Sequence, residues 1–559
     1  MNAAQILVAG LVTFLLGYRF YSRYLANQIF QINERDPAPA KKYQDGRDFV
    51  PTKLSILWGH HFSSIAGAAP IVGPAVAVIW GWLPALLWVV FGTLFLGAAH
   101  DFGALVLSMK YRGRSVASLS GDLVSKRVRL LFLTVVLFLV WMVIAVFALV
   151  IANLFIRFPS SVLPVNFEIF VALAIGYFIN RKGRSILGPA VIAQILLFVM
   201  MYLGSLYPIR LDGLSSDPLL LWIVFLLIYS LIASVLPVWA LLQPRDYINS
   251  HQLVIGLSLM VIGACVLNPP LVAPVWNQKP VGAPPWFPFL FITIACGAIS
   301  GFHGLVSSGT TSKQVAKWSD ARPIGYGAMV GEGLLALLAT LAVSTGFESP
   351  QAWHNHYETW GAAKGLSASI EAFVLGSARF LESLGIGPEF SRTMMSVLII
   401  SFAATSLDTA TRIQRYVISE VGEITNQKFL TSPWISAGLA VLSALFLMFI
   451  QSGGKGGLVL WPLFGATNQM LASLTLMLIC VYLIKRGKKV INYFIPFVFV
   501  YIMTFLGLLF NCVHFLFHKK SLLLLALSLV LLVIQILIAY EAKKSLRNSK
   551  ESARIGIAE

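Results

Sequence analysis

The sequence predicts an all-α polytopic membrane protein with about 15 transmembrane helices. Hydrophobic residues make up 58% of the 559 residues, and charged residues only 11%. The apolar residues fall into runs of about 20, the length that a helix needs to cross the hydrocarbon core of a bilayer. A soluble domain does not have such a composition, so the chain is predicted to lie in a membrane along most of its length.

The predicted spans follow one another along nearly the whole chain. The first run, 3–21, has no basic stretch ahead of it and no cleavage site after it, so we interpret it as a retained helix. In chain order the predicted spans are 3–21, 56–80, 84–109, 130–156, 166–180, 186–207, 219–242, 251–272, 287–304, 324–346, 391–411, 433–451, 459–484, 491–511 and 521–541.

The distribution of charge predicts the orientation. The net charge is +18, but most of the 41 lysines and arginines lie in alternate loops, so membrane topology explains them and nucleic acid is not a predicted partner. The positive-inside rule places the amino terminus outside and the carboxyl-terminal tail in the cytoplasm. The stretch 364–384 carries spread charges and is predicted to be an amphipathic helix on the membrane surface, not a span.

Ionisable residues occur at one depth in four of the predicted spans. Such a side chain costs about 2.5 to 3.5 kcal/mol to insert, so it normally faces a cavity or a partner. Each lies roughly 10 to 15 Å along its helix from a basic loop on the predicted cytoplasmic side. We therefore predict a shared hydrated cavity, against the alternative that each residue makes only a helix-to-helix hydrogen bond. These residues are His60, His61, His100, Asp101, His303 and Glu332.

Metal chemistry is not favoured by the spacing of the ligand-type residues. The adjacent His60 and His61 project about 100° apart on a helix and form no HxxxH pair, so a zinc site is disfavoured. The four cysteines lie singly in apolar runs and are interpreted as packing residues. No metal and no cofactor is predicted.

Two further charged pairs are predicted at the ends of spans. Asp408 and Arg412 have i, i+4 spacing and are interpreted as an ion pair on one helix face at the membrane edge. Arg245 and Asp246 end a span, where snorkelling explains the arginine.

Residues that break helices cluster near the ionisable residues. Gly67, Pro70 and Gly73 interrupt the second span, and Pro237 interrupts a later one. Unwound stretches inside a membrane leave backbone groups that a ligand, an ion or water must satisfy, and secondary transporters build their sites in this way. The breakers therefore favour transport as the class of function.

Eight stretches of the sequence, in order, resemble the carbon starvation protein A family. They are "DGRDFVPT", "GHHFSSIAGAAPIVGP", "HDF", "LPVWALLQPRDYI", "FPFLFITIACGAISGFHGLVSSGTTSK", "IGYGAMVGE", "LDTATR" and "LWPLFGATNQMLA". The family's members are inner-membrane transporters of bacteria, associated with uptake of peptides and, for some, of pyruvate with protons. This chain departs from the family at His100, where glutamine is usual before Asp-Phe.

The resemblance also implies the core of the amino acid/polyamine/organocation superfamily, which consists of two inverted five-helix repeats. An amino-terminal helix and loop would occupy 1–55, the core 56–411, and carboxyl-terminal helices with a tail 412–559. The two repeats would be about 56–207 and 219–411, and their broken first helices 56–80 and 219–242.

The run "SSGTT" is a candidate ion site by the same resemblance. The eighth core helix would be 287–304, and in sodium-coupled members that helix meets the unwound part of the first helix and binds the ion with hydroxyls and backbone carbonyls. Two alternatives stay open: the run caps a helix that Gly309 ends, or the ammonium of Lys313 replaces the ion. The candidate hydroxyls are those of Ser307, Ser308, Thr310 and Thr311, and the carbonyls lie around 64–67.

The predicted function is secondary active import of peptides or pyruvate across the bacterial inner membrane during carbon starvation, coupled to a proton. The alternatives are a sodium-coupled symporter, a channel and a membrane-embedded metal hydrolase, of which the last has no HExxH or GxSxG motif. Glu332 is predicted to face protein and to pair with span two, three or nine. The predicted substrate and proton pathway contains His60, His61, Gly67, Pro70, Gly73, His100, Asp101, Pro237, His303 and Glu332.

Overall fold

The computed structural model of the chain describes residues 2–34, 36–182, 187–211, 213, 216–363, 365–450 and 456–555. Within these ranges all the regular secondary structure is helical, with no strand and only two isolated bridges, Asn2 with Pro270 and Thr52 with Val315. A helix satisfies its own backbone N–H and C=O groups, which is what the interior of a bilayer requires.

Twelve helices in these ranges are long and apolar enough to cross a membrane, or thirteen if one bent pair counts as a single span. The protein is therefore a multi-pass membrane protein. In chain order the twelve are Ala3–Phe30, Trp82–Lys110, Lys126–Arg157, Pro159–Phe178, Gly188–Leu206, Pro218–Val235, Leu242–Leu267, Trp318–Thr345, Pro388–Ile424, Gly456–Lys485, Ile491–Phe517 and Leu522–Asn548.

Three predicted spans do not form one long helix. The span 56–80 is the bent pair Leu54–Ile65 and Ala69–Trp80, which meet at 46° and are called the broken helix below. The span 433–451 is the 17-residue helix Pro433–Phe449. The span 287–304 is divided into three pieces, called the interrupted segment: Trp286–Thr293, Ala295–Ala298 and Gly301–Gly309. The number of membrane crossings near 15 stays a prediction.

The break in the broken helix follows from its local sequence. Ala66 leaves the helical region with φ −75° and ψ 60°, and the second half starts at Ala69 with Pro70 at its second position. Proline has no N–H to donate and fits best in the first turn of a helix, where that N–H would have no partner. A Cβ on Gly67 would lie 2.7 Å from Ser406 Oγ, so the break also brings another helix close to the backbone.

The interrupted segment lies directly against the second half of the broken helix. Its backbone leaves the helical region at Ile294, Ile299 and Ser300. A Cβ on Gly73 would lie 2.6 Å from the Thr293 carbonyl oxygen and 3.2 Å from Ile294 Cα. The two interruptions are therefore neighbours in the interior.

The boundaries predicted for spans 219–242 and 251–272 are wrong. One helix ends at Val235, before Leu236 and Pro237, and the next runs from Leu242 to Leu267. Proline restricts the residue before it to extended conformations, which explains the end at Val235. The polar residues after Leu242 were expected outside a span, but they form the first turns of the helix Leu242–Leu267 and are buried there.

Two long helices form the centre of the bundle. Lys126–Arg157 has 32 residues and Pro388–Ile424 has 37, and they pack along each other. The helix Leu366–Glu382 is not among the candidate spans, although one of its faces is buried. Its position on the membrane surface stays a prediction, and Lys364 at the start of the predicted stretch lies outside the described residues.

Candidate functional site

All six ionisable residues predicted inside the spans are buried, and none is more than 1% exposed. They do not form one cluster. His60 and His61 project from the first half of the broken helix in different directions, as adjacent helical residues must. His60 joins a cluster around Arg245, and His61 lies near the group that contains Asp101.

The first group is a linear array, called here the histidine–carboxylate chain, of His100, Asp101, His303 and Glu332. His100 Nδ1 lies 2.7 Å from Asp101 Oδ1, and His303 Nδ1 lies 3.0 Å from Asp101 Oδ2. His303 Nε2 lies 3.3 Å from Glu332 Oε2. Three elements meet here: Ala98–Lys110, the last piece of the interrupted segment, and Ala328–Thr345. The contact places the partner of Glu332 on predicted span nine.

The number of protons in this chain is not fixed by its geometry. An ionised Asp101 would accept an imidazole N–H at each oxygen, which would place a proton on the Nδ1 of His303. His303 Nε2 and Glu332 Oε2 then hold one further proton between them or none. Without it, two carboxylates are negative in a buried site, which costs free energy; with it, one negative charge remains. A further proton in this group would lie between His303 Nε2 and Glu332 Oε2.

His61 lies beside this chain and contacts the "SSGTT" run. Its Nδ1 lies 2.9 Å from Thr311 Oγ1, and its Nε2 has no hydrogen-bond partner among the described residues. His100 Nε2 is likewise buried without such a partner. A buried polar nitrogen without a partner calls for an explanation, and a water molecule or a polar ligand at the site would supply one.

The second group, called the arginine cluster, contains His60, Tyr229, Arg245, Asp246 and Asp408. His60 Nδ1 donates to Asp246 Oδ2 at 2.5 Å, and Arg245 Nη2 donates to Asp246 Oδ1 at 2.9 Å. Arg245 also bonds to Asp408 and, at 2.6 Å, to the Tyr229 hydroxyl. The cluster ties the broken helix to three others, Pro218–Val235, Leu242–Leu267 and Pro388–Ile424.

The predictions for the two further charged pairs are wrong. Arg245 is 2% exposed and Asp246 is fully buried, so neither snorkels to the surface. Asp408 pairs with Arg245 and not with Arg412. The Arg412 guanidinium instead donates to the carbonyl oxygens of Ala233, at 3.0 Å, and Leu236, at 2.5 Å, which the break before Pro237 leaves free. A charged side chain, not a ligand or an ion, satisfies that break.

The "SSGTT" run largely satisfies itself. The helix Gly301–Gly309 ends at Gly309. Ser308 and Thr310 donate to carbonyls one turn back, at 2.7 and 3.0 Å, as residues in a capping role do. Ser307 Oγ is buried without a partner among the described residues, and the Lys313 ammonium lies 4.3 Å from the ring centroid of Tyr416. An ion site in this run stays a prediction.

The hydroxyls that meet the break of the broken helix come from a different helix, Pro388–Ile424. Ser406 Oγ donates to the Ser64 carbonyl at 3.3 Å, and Thr409 Oγ1 lies 3.2 Å from Ser64 Oγ. Sequence reasoning missed them because nothing in a single helix indicates which break it will face. It also missed Glu168, a fully buried carboxylate that Ser401 Oγ contacts at 3.3 Å, although a glutamate inside predicted span 166–180 was a visible signal.

A loop that precedes the broken helix is held against the end of Pro388–Ile424. Asp45 Oδ1 accepts the backbone N–H groups of the next turn, including that of Asp48 at 2.9 Å, and Gly46 has φ +71°. Tyr416 donates its hydroxyl to Asp48 Oδ1 at 2.5 Å, and Arg412 Nη1 lies 3.5 Å from the same oxygen. We call this contact the clasp. It explains the "DGRD" motif as a turn that presents a carboxylate.

The histidines and carboxylates are not arranged as a metal site. Among the described residues no group of three or more histidine, cysteine, aspartate or glutamate side chains has a geometry that could hold a metal ion. The His303 ring uses both nitrogens toward carboxylates, which leaves none for a metal.

Comparison with known proteins gives a family. A family model described as "Carbon starvation protein CstA" matches residues 2–349 and 346–507. The peptide transporter CstA of Campylobacter jejuni is 32% identical over 571 residues, which cover 91% of this chain and 80% of the relative. The peptide transporter CstA of Bacillus subtilis is 31% identical, with 90% of this chain and 89% of the relative covered. The pyruvate/proton symporter BtsT of Escherichia coli is 32% identical, with 87% and 78% covered.

Similar solved structures are more distant. A manganese transporter of Eremococcus coleocola is 12% identical with a TM-score of 0.49, and the match covers 90% of this chain and 99% of that one. A nucleobase-cation-symport-1 family transporter is 11% identical with a TM-score of 0.44, and the match covers 90% and 98%. We draw nothing about function from likenesses of this size.

Proposed function

The chain belongs to the carbon starvation protein CstA family, and from this premise we propose that it imports peptides or pyruvate across the bacterial inner membrane together with a proton. Like its relatives, the chain is a transporter and not an enzyme. The coupling ion and the substrate are what the proposal adds.

One observation supports coupling to a proton: His303 lies between the two buried carboxylates Asp101 and Glu332. A proton that enters between His303 and Glu332 removes one negative charge from the interior. Because those side chains come from different elements, the charge change alters the free energy of packing these elements together. A substrate that binds one packing better is then coupled to the proton through that difference in free energy.

The substrate is proposed to bind near the two neighbouring breaks. Peptides and pyruvate both carry a carboxylate, and the amino-terminal end of a half-helix offers partial positive charge to it. The half-helix that begins at Ala69 has such an end inside the bundle, beside the interrupted segment. Gly67, Pro70 and Gly73 keep that end open and close to its neighbours, and they remain in the proposed pathway.

We also propose the two repeats at about 56–207 and 219–411, with a start of the second repeat at the interrupted segment, near Trp286, as the alternative. The broken helix and the interrupted segment lie side by side, as the two first helices of an inverted pair do. Counted from the broken helix, the third long element is Lys126–Arg157, and counted from the interrupted segment it is Pro388–Ile424. These two helices pack on each other. The proposed orientation keeps the amino terminus outside and the carboxyl terminus in the cytoplasm.

Counterflow in proteoliposomes tests the substrate. Vesicles that contain purified protein are preloaded with unlabelled pyruvate or with unlabelled di- and tripeptides, and entry of the labelled compound is followed. We expect accumulation with one class and not with the other. No counterflow with either class would contradict the proposal.

Sodium coupling is a second candidate, favoured by one observation. Ser64 contributes a carbonyl and a hydroxyl at the break, and Ser406 and Thr409 contribute hydroxyls within 3.3 Å of them. Oxygen donors suit a hard cation. Replacing sodium by choline at fixed pH separates the two couplings, since only a sodium symporter loses uptake.

A further inference from the structure

A cavity lined by three basic side chains lies at one end of the bundle, away from the buried network. It has a volume of about 310 Å³ and is lined by Lys110, Tyr111, Tyr482, Arg486 and Lys488. This size is near the lower end of the range for small-ligand sites, roughly 300 to 1,000 Å³. No acidic residue is among the side chains that line it.

The three cations in this cavity are not neutralised by the protein. Among the described residues none of Lys110, Arg486 and Lys488 forms an ion pair. The Lys488 ammonium donates to the Phe30 carbonyl at 3.3 Å, and the other two lie near the rings of Trp318 and Tyr482 at 5.9 and 6.0 Å. Like charges that converge without an acid repel one another, and an anion between them would offset that repulsion.

The electrostatics of Lys488 agree with this description. Burial lowers the pKa of its ammonium, and the positive charge of Arg486 lowers it further. An anion in the cavity would relieve the repulsion between the two cations. The phenol hydroxyls of Tyr111 and Tyr482, whose rings lie edge to face at 6.1 Å, are further donors for its oxygens.

The chain that leaves the cavity at Lys488 enters a helix whose exposed apolar face is suited to acyl chains. The helix Ile491–Phe517 begins three residues after Lys488. Its first turns expose Ile491 by 54%, Phe494 by 45% and Ile495 by 62%, at the i, i+3 and i+4 positions of one face. A cationic cavity next to an exposed apolar stripe matches a molecule with a phosphate head and hydrocarbon tails.

We propose that this cavity binds the phosphate headgroup of an anionic membrane lipid. Basic pockets between transmembrane helices on the cytoplasmic side recognise such headgroups. The cavity lies where Trp82–Lys110 and Gly456–Lys485 end, which is the proposed cytoplasmic end of the bundle. The lipid would hold these two helix ends together with the start of Ile491–Phe517.

Lipid binding to the purified full-length protein tests the proposal. Native mass spectrometry measures the affinity for dioleoyl phosphatidylglycerol and for dioleoyl phosphatidylcholine, which differ only in headgroup. We expect tighter binding of phosphatidylglycerol. Arg486→Gln and Lys488→Gln should each weaken it about fivefold, the worth of one cation near anionic lipid. Lys488→Arg should retain the affinity, which separates loss of charge from loss of folding.

The control variant removes two cations from the same end of the bundle. Lys543 and Lys544 are exposed on the last helix, near the contact of Lys485 Nζ with Ser545 Oγ at 3.2 Å. Lys543→Gln with Lys544→Gln should leave the affinity unchanged. Equal losses in the control and the cavity variants, or no loss in the cavity variants, would overturn the proposal. Inorganic phosphate that raises the Tm as much as phosphatidylglycerol does would overturn the assignment to a lipid.

Discussion

His303 and Asp101 lie 202 positions apart in the sequence, yet His303 Nδ1 is 3.0 Å from Asp101 Oδ2 in the interior of the bundle. The contact joins the interrupted segment to Ala98–Lys110, and the other side of the same ring faces Glu332. A single imidazole thereby connects two carboxylates on different helices, and the proposed coupling depends on that connection.

Replacing Glu332 by glutamine should uncouple the protein. The amide keeps the shape of the side chain and its place beside His303 Nε2 but takes up no proton at neutral pH. Uptake driven by a proton gradient should fall about tenfold or more, within the range of coupling between sites, while counterflow persists. Labelled-substrate uptake in proteoliposomes measures both. Glu389→Gln, which changes a carboxylate that is 82% exposed, is the control and should behave as the wild type does.

Replacing His61 by glutamine should flatten the pH dependence of uptake. The buried Nε2 of His61 has no hydrogen-bond partner among the described residues, so it is free to accept a proton once the pathway opens to water. Uptake rates between pH 5.5 and 8 give the profile. The exposed His354 provides the matched control, His354→Gln, whose profile should keep the wild-type shape. An unchanged profile in His61→Gln would remove this histidine from the proton pathway.

Replacing Asp48 by asparagine should loosen the clasp without changing the pH profile. Loss of the charged hydrogen bond to Tyr416 and of the ion pair with Arg412 should cost about 1.5 to 3 kcal/mol of stability, visible as a lower Tm in detergent. Burial alone would raise the pKa of Asp48, but Lys313, the Tyr416 hydroxyl and Arg412 bring it below its ordinary value.

The lowered pKa of Asp48 fixes the pH range in which the clasp contributes. Since the folded-state pKa lies below the unfolded one, the stabilisation is complete at neutral pH and is lost only as the pH falls below about 4. The pH dependence of uptake in Asp48→Asn should therefore match the wild type between pH 5.5 and 8. Asp36→Asn, an exposed carboxylate of the same loop, should change neither property. A shifted profile in Asp48→Asn would show that the clasp titrates during transport.

Replacing Gly73 by alanine should push the two breaks apart. The new Cβ would lie 2.6 Å from the Thr293 carbonyl oxygen, a backbone atom that cannot rotate away. Overpacking of this kind costs about 1 to 3 kcal/mol, and uptake should fall along with the Tm. Gly438→Ala is the control, because nothing lies within 4 Å of its added Cβ. A Gly73→Ala protein with normal uptake would argue against substrate binding beside these breaks.

The sequence predicted the helices well because apolar runs of membrane length are a local property. Every predicted span contains helix, although several of them run past a helix end or an interruption, and the breaks at Gly67 and Pro237 lie where glycine and proline indicated them. The boundary between Val235 and Leu242 was wrong for a physical reason. Arg245 and Asp246 read as the polar end of a span, but partners on other helices compensate their burial.

The sequence predicted which residues form the candidate site, but not which of them contact one another. The distances of His100, His303 and Glu332 from the basic loops predicted that they lie at the same depth in the membrane. The depth of a residue does not show which neighbouring helix its side chain faces. The partners Asp246 of His60 and Thr311 of His61 lie 186 and 250 positions away in the sequence. Which helix faces which is set by packing of the whole bundle, so periodicity within one helix cannot reveal it.

Proton movement during substrate uptake tests the central claim most directly. Proteoliposomes that contain the protein and an internal pH-sensitive dye are placed in choline buffer without sodium, and the substrate identified by counterflow is added outside. The account predicts acidification of the vesicle interior in step with substrate entry, and no acidification with Glu332→Gln. Substrate entry without acidification in the wild-type protein, or entry that requires sodium, would contradict it.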